Sequence, residues 1–346
     1  MNFPEIPVSK EYDGKTTPEQ EAMLKVIQKK ELSAGETRIL EECVKFYEDA
    51  YSFLEQVDLS KITAVEENEI IGFLKTVLNY KIIFQNNITF KTLFRVSLVR
   101  DEFLEKGKVR NVKYLSFPPA DVIKRIGKYG RANSPNSTCL YCAFNPLVAL
   151  LETKPTAGDR IIISEWFKED DEPFVVFPIA NNDSVKNEGL EHATKAFRER
   201  MQYNHPLFAR ILDLLFGFLS SQFIKDVPIT SEKGYEYLYS SYFSDIVMFD
   251  QSKPVDHPVE PIKKYDGVLY PSVASKHRTD NIAIRPDSVG RIRPVSAREY
   301  YIAETHYEEV KVDENGSLDD PSLAFTGAML RESEAFDDWL IIWTDD

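Results

Sequence analysis

The sequence predicts an α+β fold. Apolar residues recur at helical spacing from residue 17 to about residue 83, the texture then changes to short β-rich runs from Thr89, and the strands and helices that follow alternate without the regular rhythm of a doubly wound sheet. A chain of 346 residues can bury a substantial core.

Residues 1–15 read as a loose arm. Thr17-Pro18-Glu19-Gln20 is a helix start, with an N-cap, a proline in the first turn and acids at the positive end of the dipole. Ser33 to Gln56 is a second helix, because Leu40, Val44, Tyr47, Tyr51 and Leu54 repeat at steps of four and three. A third spans Val65 to Ile83, with Ile70, Ile71, Leu74, Val77 and Leu78 inward. The strand candidates that follow are 93–99, 138–144, 160–166, 174–180, 267–272, 281–285 and 299–307. Helix candidates are 118–126, 146–153, 189–203, 206–224 and 231–249. From Val312 the chain is acidic and turn-rich, with an aromatic end, DDWLIIWTDD. Three units are expected: a helical N-terminal module over 1–88, a mixed domain over 89–310 and an acidic extension over 311–346.

Composition narrows the function. With 42 basic and 56 acidic residues the formal charge is −14, which disfavours nucleic-acid binding by phosphate neutralisation. MNFPEIPVSKEYDG does not read as a secretory signal, and the apolar run 211–219 is too short to span a membrane, so a cytoplasmic location is expected. Cys43, Cys139 and Cys142 make no disulfide framework. The C-x-x-C spacing of the last two puts them on opposite faces of one strand, and no second pair completes a zinc site, so no metal is expected.

The chemistry-bearing residues are scattered. Arg95 lies in a strand, on the face opposite Phe94, Val96 and Leu98. A guanidinium there suits a bidentate contact with a diphosphate or carboxylate, and equally a structural acid. Arg131 and Asn133 sit in the loop GRANSPNS, whose glycine and serines permit close backbone approach to a ligand. Tyr141 shares its strand face with Cys139 and Ala143, so its ring either stacks on a planar group or fills core volume. Asn145-Pro146 starts a helix that carries Glu152 beside Val148 and Ala149, and a carboxylate next to apolar residues is partnered, functional or solvated at the helix end. Ser272 ends the strand GVLYPS without a nucleophile-elbow context. His277, the nearest histidine, reads as a surface loop residue, and a Ser-His-Asp triad has no support.

Taken in order, these segments resemble the RES family of NAD-directed toxins, named for an arginine, a glutamate and a serine. FRV at 94–96 is similar to the family's opening arginine strand, GRANSPNSTCLYCAFNPLVALLE to its Gly-x-Arg-x-Asn, Leu-Tyr and Ala-x-x-Glu run, and YDGVLYPS to its late Asp-Gly strand. EKGYEYLYSSYFSDIV, 232–247, resembles the tyrosine-bearing helix between them. The resemblance implies a mixed β core like that of ADP-ribosyltransferases, surrounded by helices and preceded by the helical module. It implies that NAD is a substrate, cleaved at the nicotinamide–ribose bond with water or phosphate as acceptor and without a metal. Glu152, Ser272 and Arg95 are the implied catalytic residues, and Arg95, Arg131, Asn133 and Tyr141 the implied NAD-binding ones. ADP-ribosyl transfer to a protein, and a silent nucleotide-binding or immunity module, are the alternatives. The chain is about twice the length of a minimal toxin of this kind and has Pro135-Asn136 where the family commonly has glycine. These departures leave open a two-gene toxin held by an antitoxin in a toxin–antitoxin pair, an enzyme restrained by its own N-terminal helices and acidic extension, or a dead relative. The favoured reading of the additions is a homodimer or scaffold surface for the helices and a solvated acidic tail.

Overall fold

Three capping boxes set the N-terminal helices. Thr17 with Gln20, Ser33 with Glu36 and Thr63 with Glu66 each satisfy backbone donors at the start of α1 (Pro18–Ile27), α2 (Ala34–Gln56) and α3 (Ala64–Val77). The computed structural model describes residues 1–4, 17–78, 84–179, 188–227, 231–249, 264–307, 324–337 and 339–345. Residues 79–83, the last part of the third expected helix, therefore lie outside the described residues. Leu40, Cys43, Tyr47, Ala50, Tyr51 and Leu54 of α2 and Ile70, Leu74 and Val77 of α3 are buried, as their periodicity requires.

The rest of the described chain runs through β1 (Asn86–Ile88), β2 (Thr92–Leu98), α4 (Ala120–Ile126), β3 (Leu140–Ala143), α5 (Pro146–Thr153), β4 (Arg160–Phe167) and β5 (Phe174–Pro178). It continues through α6 (Glu188–Met201), α7 (Pro206–Phe223), α8 (Leu238–Phe249), β6 (Gly267–Pro271), β7 (Asp280–Ile284), α9 (Pro286–Val289), β8 (Arg293–Thr305), β9 (Phe325–Asp337) and β10 (Leu340–Trp343). The strands form one sheet in the order β1-β5-β6-β7-β3-β2-β4-β8-β9-β10. β5 and β6 pair parallel, whereas the neighbours on either side of them pair antiparallel, so the sheet is mixed and the fold is α+β. Among the described residues, no helix is long and apolar enough to cross a membrane.

The two sheet faces bury different cores. Val268, Tyr270, Ala283 and Tyr141 face a layer built from α2, α3, α7 and α8. Leu269, Ile282, Ile284, Leu140 and Cys142 face Val109, Leu115, Trp166, Ile341 and Trp343. Strand alternation in CLYCAF thus divides the faces as expected, with Tyr141 opposite Leu140 and Cys142. On the side of Tyr141, α5 packs over β2 and β3 through Leu147, Val148, Leu150 and Leu151 against Val96 and Ala143.

β6 and β7 approach very closely. A Cβ on Gly267 would stand 2.2 Å from the Ala283 carbonyl oxygen, so only glycine fits there. Asp266 before it is buried and structural. It accepts from Val175 N (2.8 Å), Ser288 Oγ (2.7 Å) and Arg291 Nη1 (2.8 Å), which ties β5 and α9 to the start of β6.

The acidic C-terminal stretch holds two strands that its sequence does not announce. β9 pairs with β8, and its residues are mostly exposed, so no apolar alternation marks it. β10 buries Ile341 and Trp343, and Trp343 Nε1 donates to the Val109 carbonyl at 2.8 Å. Residues 311–323, the first part of the expected extension, lie outside the described residues, as do 308–310 before them.

Candidate active site

α5 delivers Glu152 to the ends of β6 and β7. Asn145 caps the helix by accepting from Leu147 N (2.8 Å) and Val148 N (3.4 Å), and Pro146 occupies its first turn. Its apolar residues fix it to the sheet, which leaves Glu152 half-buried in the last turn. Ser272 Oγ donates to Glu152 Oε1 at 2.6 Å, Asn281 Nδ2 at 2.8 Å and Ala274 N at 3.3 Å. All three reach the same oxygen. Oε2 has no hydrogen-bond partner among the described residues.

Ser272 is fully buried, and its direction is fixed. Its hydroxyl accepts from Ser275 N at 3.2 Å and gives its own proton to Glu152. A hydroxyl so committed orients the carboxylate and is not poised as a nucleophile. Asn281 is buried opposite Tyr270 in the β6–β7 pairing. The sequence reading passed over it. Its only signal was its place at the start of NIAIR, the strand that had to return beside GVLYPS.

The GRANSPNS loop is closed by its own side chains. Gly130 N donates to the Asn133 carbonyl at 2.9 Å, and a Cβ on Gly130 would meet Asn133 Oδ1 at 2.5 Å and Tyr141 Oη at 2.8 Å. Tyr141 Oη accepts from Ala132 N (2.7 Å) and donates to Asn133 Oδ1 (2.8 Å). Asn133 Nδ2 donates to the carbonyls of Ser134 (3.0 Å) and Ser137 (3.3 Å). Burial drives the Tyr141 phenol well above its ordinary range, so it stays protonated and keeps its donor. Asn133 and Tyr141 therefore hold the loop, and Arg131 projects from it.

Arg131 is buried but for about 9% of its surface. It donates from Nη1 to the Phe223 carbonyl at the C-terminal end of α7, and from Nη2 to Tyr237 Oη at 3.3 Å. Its guanidinium carbon lies 4.9 Å from the centre of the Tyr237 ring, a cation–π contact. Tyr237 comes from the tyrosine-bearing segment before α8.

Arg131 and Glu152 act on the same side chains. Burial raises the phenols of Tyr237 and Tyr270, and on each the charge of Glu152 adds to this while that of Arg131 opposes it. His277 is lowered by burial first and then by Arg131, against Glu152. His277 is thus not the surface loop residue its sequence suggested. It is half-buried at φ +64°, in the turn that follows Ser272, and its backbone N donates to the Ser272 carbonyl at 2.8 Å.

Arg95 is not brought to this cluster. Nη1 donates to the carbonyls of Leu115 (2.6 Å) and Ser116. Arg95 alternates with Phe94 and Val96, which face α5, so it lies on the other side of the sheet with Leu93. The catalytic and NAD-binding roles expected of Arg95 are corrected accordingly: it fastens the 115–116 segment to β2. Strand alternation alone sets its face of β2, whereas the layer across from it comes from the 115–116 segment, which the alternation does not specify.

Cys139 and Cys142 are buried, and burial pushes both thiols up to about 12. Among the described residues, no three His, Cys, Asp or Glu side chains are grouped so that they could hold a metal ion.

The sequence that builds this site has a match among known families. The sequence model of the RES domain matches residues 109–303, more than half of the chain. The chain belongs to the RES family. The matched span of the RES domain contains Arg131, Asn133, Tyr141, Glu152, Ser272 and Asn281, and leaves Arg95 outside. No curated protein and no solved structure matches the chain.

Proposed function

We propose that this RES protein consumes NAD by breaking the nicotinamide–ribose bond. The observation that carries the reading is the carboxylate of Glu152, with Oε1 held by Ser272, Asn281 and the Ala274 amide and Oε2 left for a ligand. Nicotinamide leaves NAD as a neutral molecule, because the C1′–N bond gives its electron pair to a cationic pyridinium nitrogen. No general acid is needed for that departure. The site has to stabilise the positive charge that develops on the ribose, as in glycoside cleavage. A carboxylate that is already oriented does this without reorganising. Water then bonds to C1′ and loses a proton, giving ADP-ribose, nicotinamide and H⁺. With phosphate as acceptor the product is the ribosyl phosphate.

Arg131 suits the diphosphate. Two of the roughly five N–H donors of a guanidinium are engaged by Phe223 and Tyr237, which hold it in place and leave the others for ligand oxygens. Asn133 and Tyr141 serve NAD through the loop they close.

The test is chromatographic measurement of NAD, nicotinamide and ADP-ribose with purified protein, with and without phosphate, for wild type and Glu152→Gln. Wild type is expected to release nicotinamide. Glu152→Gln is expected to keep NAD binding and to lose about 100–1000-fold in kcat, equivalent to roughly 2.7–4 kcal/mol. Intact NAD after prolonged incubation, or a Glu152→Gln variant with wild-type kcat, sinks the reading. Label from NAD appearing on a protein would replace hydrolysis by transfer.

A further inference from the structure

Two tyrosines of the RES domain end on one carboxylate of the N-terminal helices. Glu67 lies in the first turn of α3. Tyr129 Oη donates to its Oε1 at 2.6 Å and Tyr235 Oη to its Oε2 at 3.0 Å. Both are hydrogen bonds to a charged acceptor, the stronger kind. The two rings lie 5.9 Å apart.

The positions of these tyrosines matter. Tyr129 precedes Arg131 by two residues, and Tyr235 precedes Tyr237 by two. Arg131 and Tyr237 are the cation–π pair of the site. The same two segments are joined by Tyr129 N donating to the Lys233 carbonyl at 2.8 Å. They also touch at Gly234, φ +66°, where a Cβ would stand 2.5 Å from the Tyr129 carbonyl oxygen. α2 braces the remaining support of Arg131. Tyr51 stacks on Phe218 of α7, with ring centres 4.8 Å apart, and α7 ends at Phe223, whose carbonyl receives Arg131. The loop, the aromatic partner and the helix end that fix Arg131 are thus all fastened to α2 or α3.

We propose that Glu67 is a positioning residue for Arg131 and Tyr237, and that the N-terminal helices set the anion-binding half of the site. The inference rests on the NAD reading for its choice of ligand, and its geometry stands apart from that reading. The helices are then a working part of the site.

The experiment uses the full chain with Glu67→Ala, Glu67→Gln, Arg131→Lys and the Glu67→Ala/Arg131→Lys double variant. It reads KM and kcat for NAD and amide hydrogen exchange across 128–134 and 231–239. Loss of the two charge-assisted bonds in Glu67→Ala is expected to raise KM about tenfold with kcat unchanged, and to speed exchange in both segments while leaving β4 and β8 as they were. Glu67→Gln is expected to stay within about twofold of wild type, since an amide can accept from one phenol and donate to the other. On Arg131→Lys, the added Glu67→Ala change is expected to shift KM by less than about twofold, because both act through one contact. An unchanged KM in Glu67→Ala, or full additivity in the double variant, overturns the proposal. If Glu67→Ala does not fold, Tyr129→Phe with Tyr235→Phe removes the same bonds. If wild type neither binds nor consumes NAD, the functional reading fails, and exchange alone decides the positioning. Faster exchange in both segments upholds it, and unchanged exchange overturns it.

Discussion

Arg95 and Arg131 read alike in the sequence, and the structure separates their work. Arg131→Lys keeps the charge but loses the fork that reaches Phe223 and Tyr237. It is expected to raise KM for NAD about 10–100-fold, equivalent to roughly 1.5–3 kcal/mol, with little change in Tm. Arg95→Ala is expected to do the reverse. It strips the carbonyls of Leu115 and Ser116 of their donor, costing about 1.5–3 kcal/mol in denaturant unfolding, and leaves KM where it was. A raised KM in Arg95→Ala would return that residue to the site. His277 gives a pH signature. Its folded pKa lies below the ordinary 6.5, because burial and Arg131 disfavour the imidazolium. The stability it contributes is therefore complete above about pH 6.5 and is lost as pH falls through the lower folded value. His277→Asn, which tolerates the same positive φ, is expected to flatten the stability–pH curve below 6.5 in denaturant titrations. An unchanged slope would remove His277 from the field of Arg131.

At the level of elements, what was legible was what a local rule dictates. Asn145-Pro146 had to start α5, and with the start fixed, Glu152 had to fall in its last turn. Asp266-Gly267 had to open β6, although the reason for the glycine, the Ala283 carbonyl against it, is a property of a strand more than ten residues later. Asn281 was illegible as a site residue, and Tyr237 was legible only as one of the tyrosines of 232–247, because each earns its place through a partner distant in sequence. β9 was missed because an exposed strand carries no alternation, and β10 because an aromatic end in an acidic stretch has two readings. Trp343 decides between them. It is almost completely buried beneath the sheet, so Trp343→Ala is expected to cost about 3–5 kcal/mol in chemical unfolding while leaving KM for NAD unchanged in the folded fraction. A loss below about 1 kcal/mol would mean that β10 is a loosely held edge.

Over the whole molecule, the irregular order of strands and helices was enough to give the class, and nothing local could give the sheet order, in which β2 sits between β3 and β4 while β5 and β6 lie three to four places away. The described part of the C-terminal segment joins the end of the sheet beyond β8, on the far side of β2 and β4 from β3. Production of the wild-type chain in cells is expected to lower cellular NAD before growth stops, and production of Glu152→Gln is expected to leave both intact. Normal NAD in cells holding abundant soluble wild-type protein would count against the proposed activity. The bonds that hold Glu152 also set a clock on synthesis. The glutamate waits for Ser272 and Asn281, which leave the ribosome 120 and 129 residues after it. At about 5–20 residues per second the delay is on the order of ten seconds. A nascent chain that stops short of Ser272 carries the glutamate, the loop and Arg131, yet holds none of the three donors that aim the carboxylate. Truncated translation products of that length are therefore expected to release no nicotinamide from NAD.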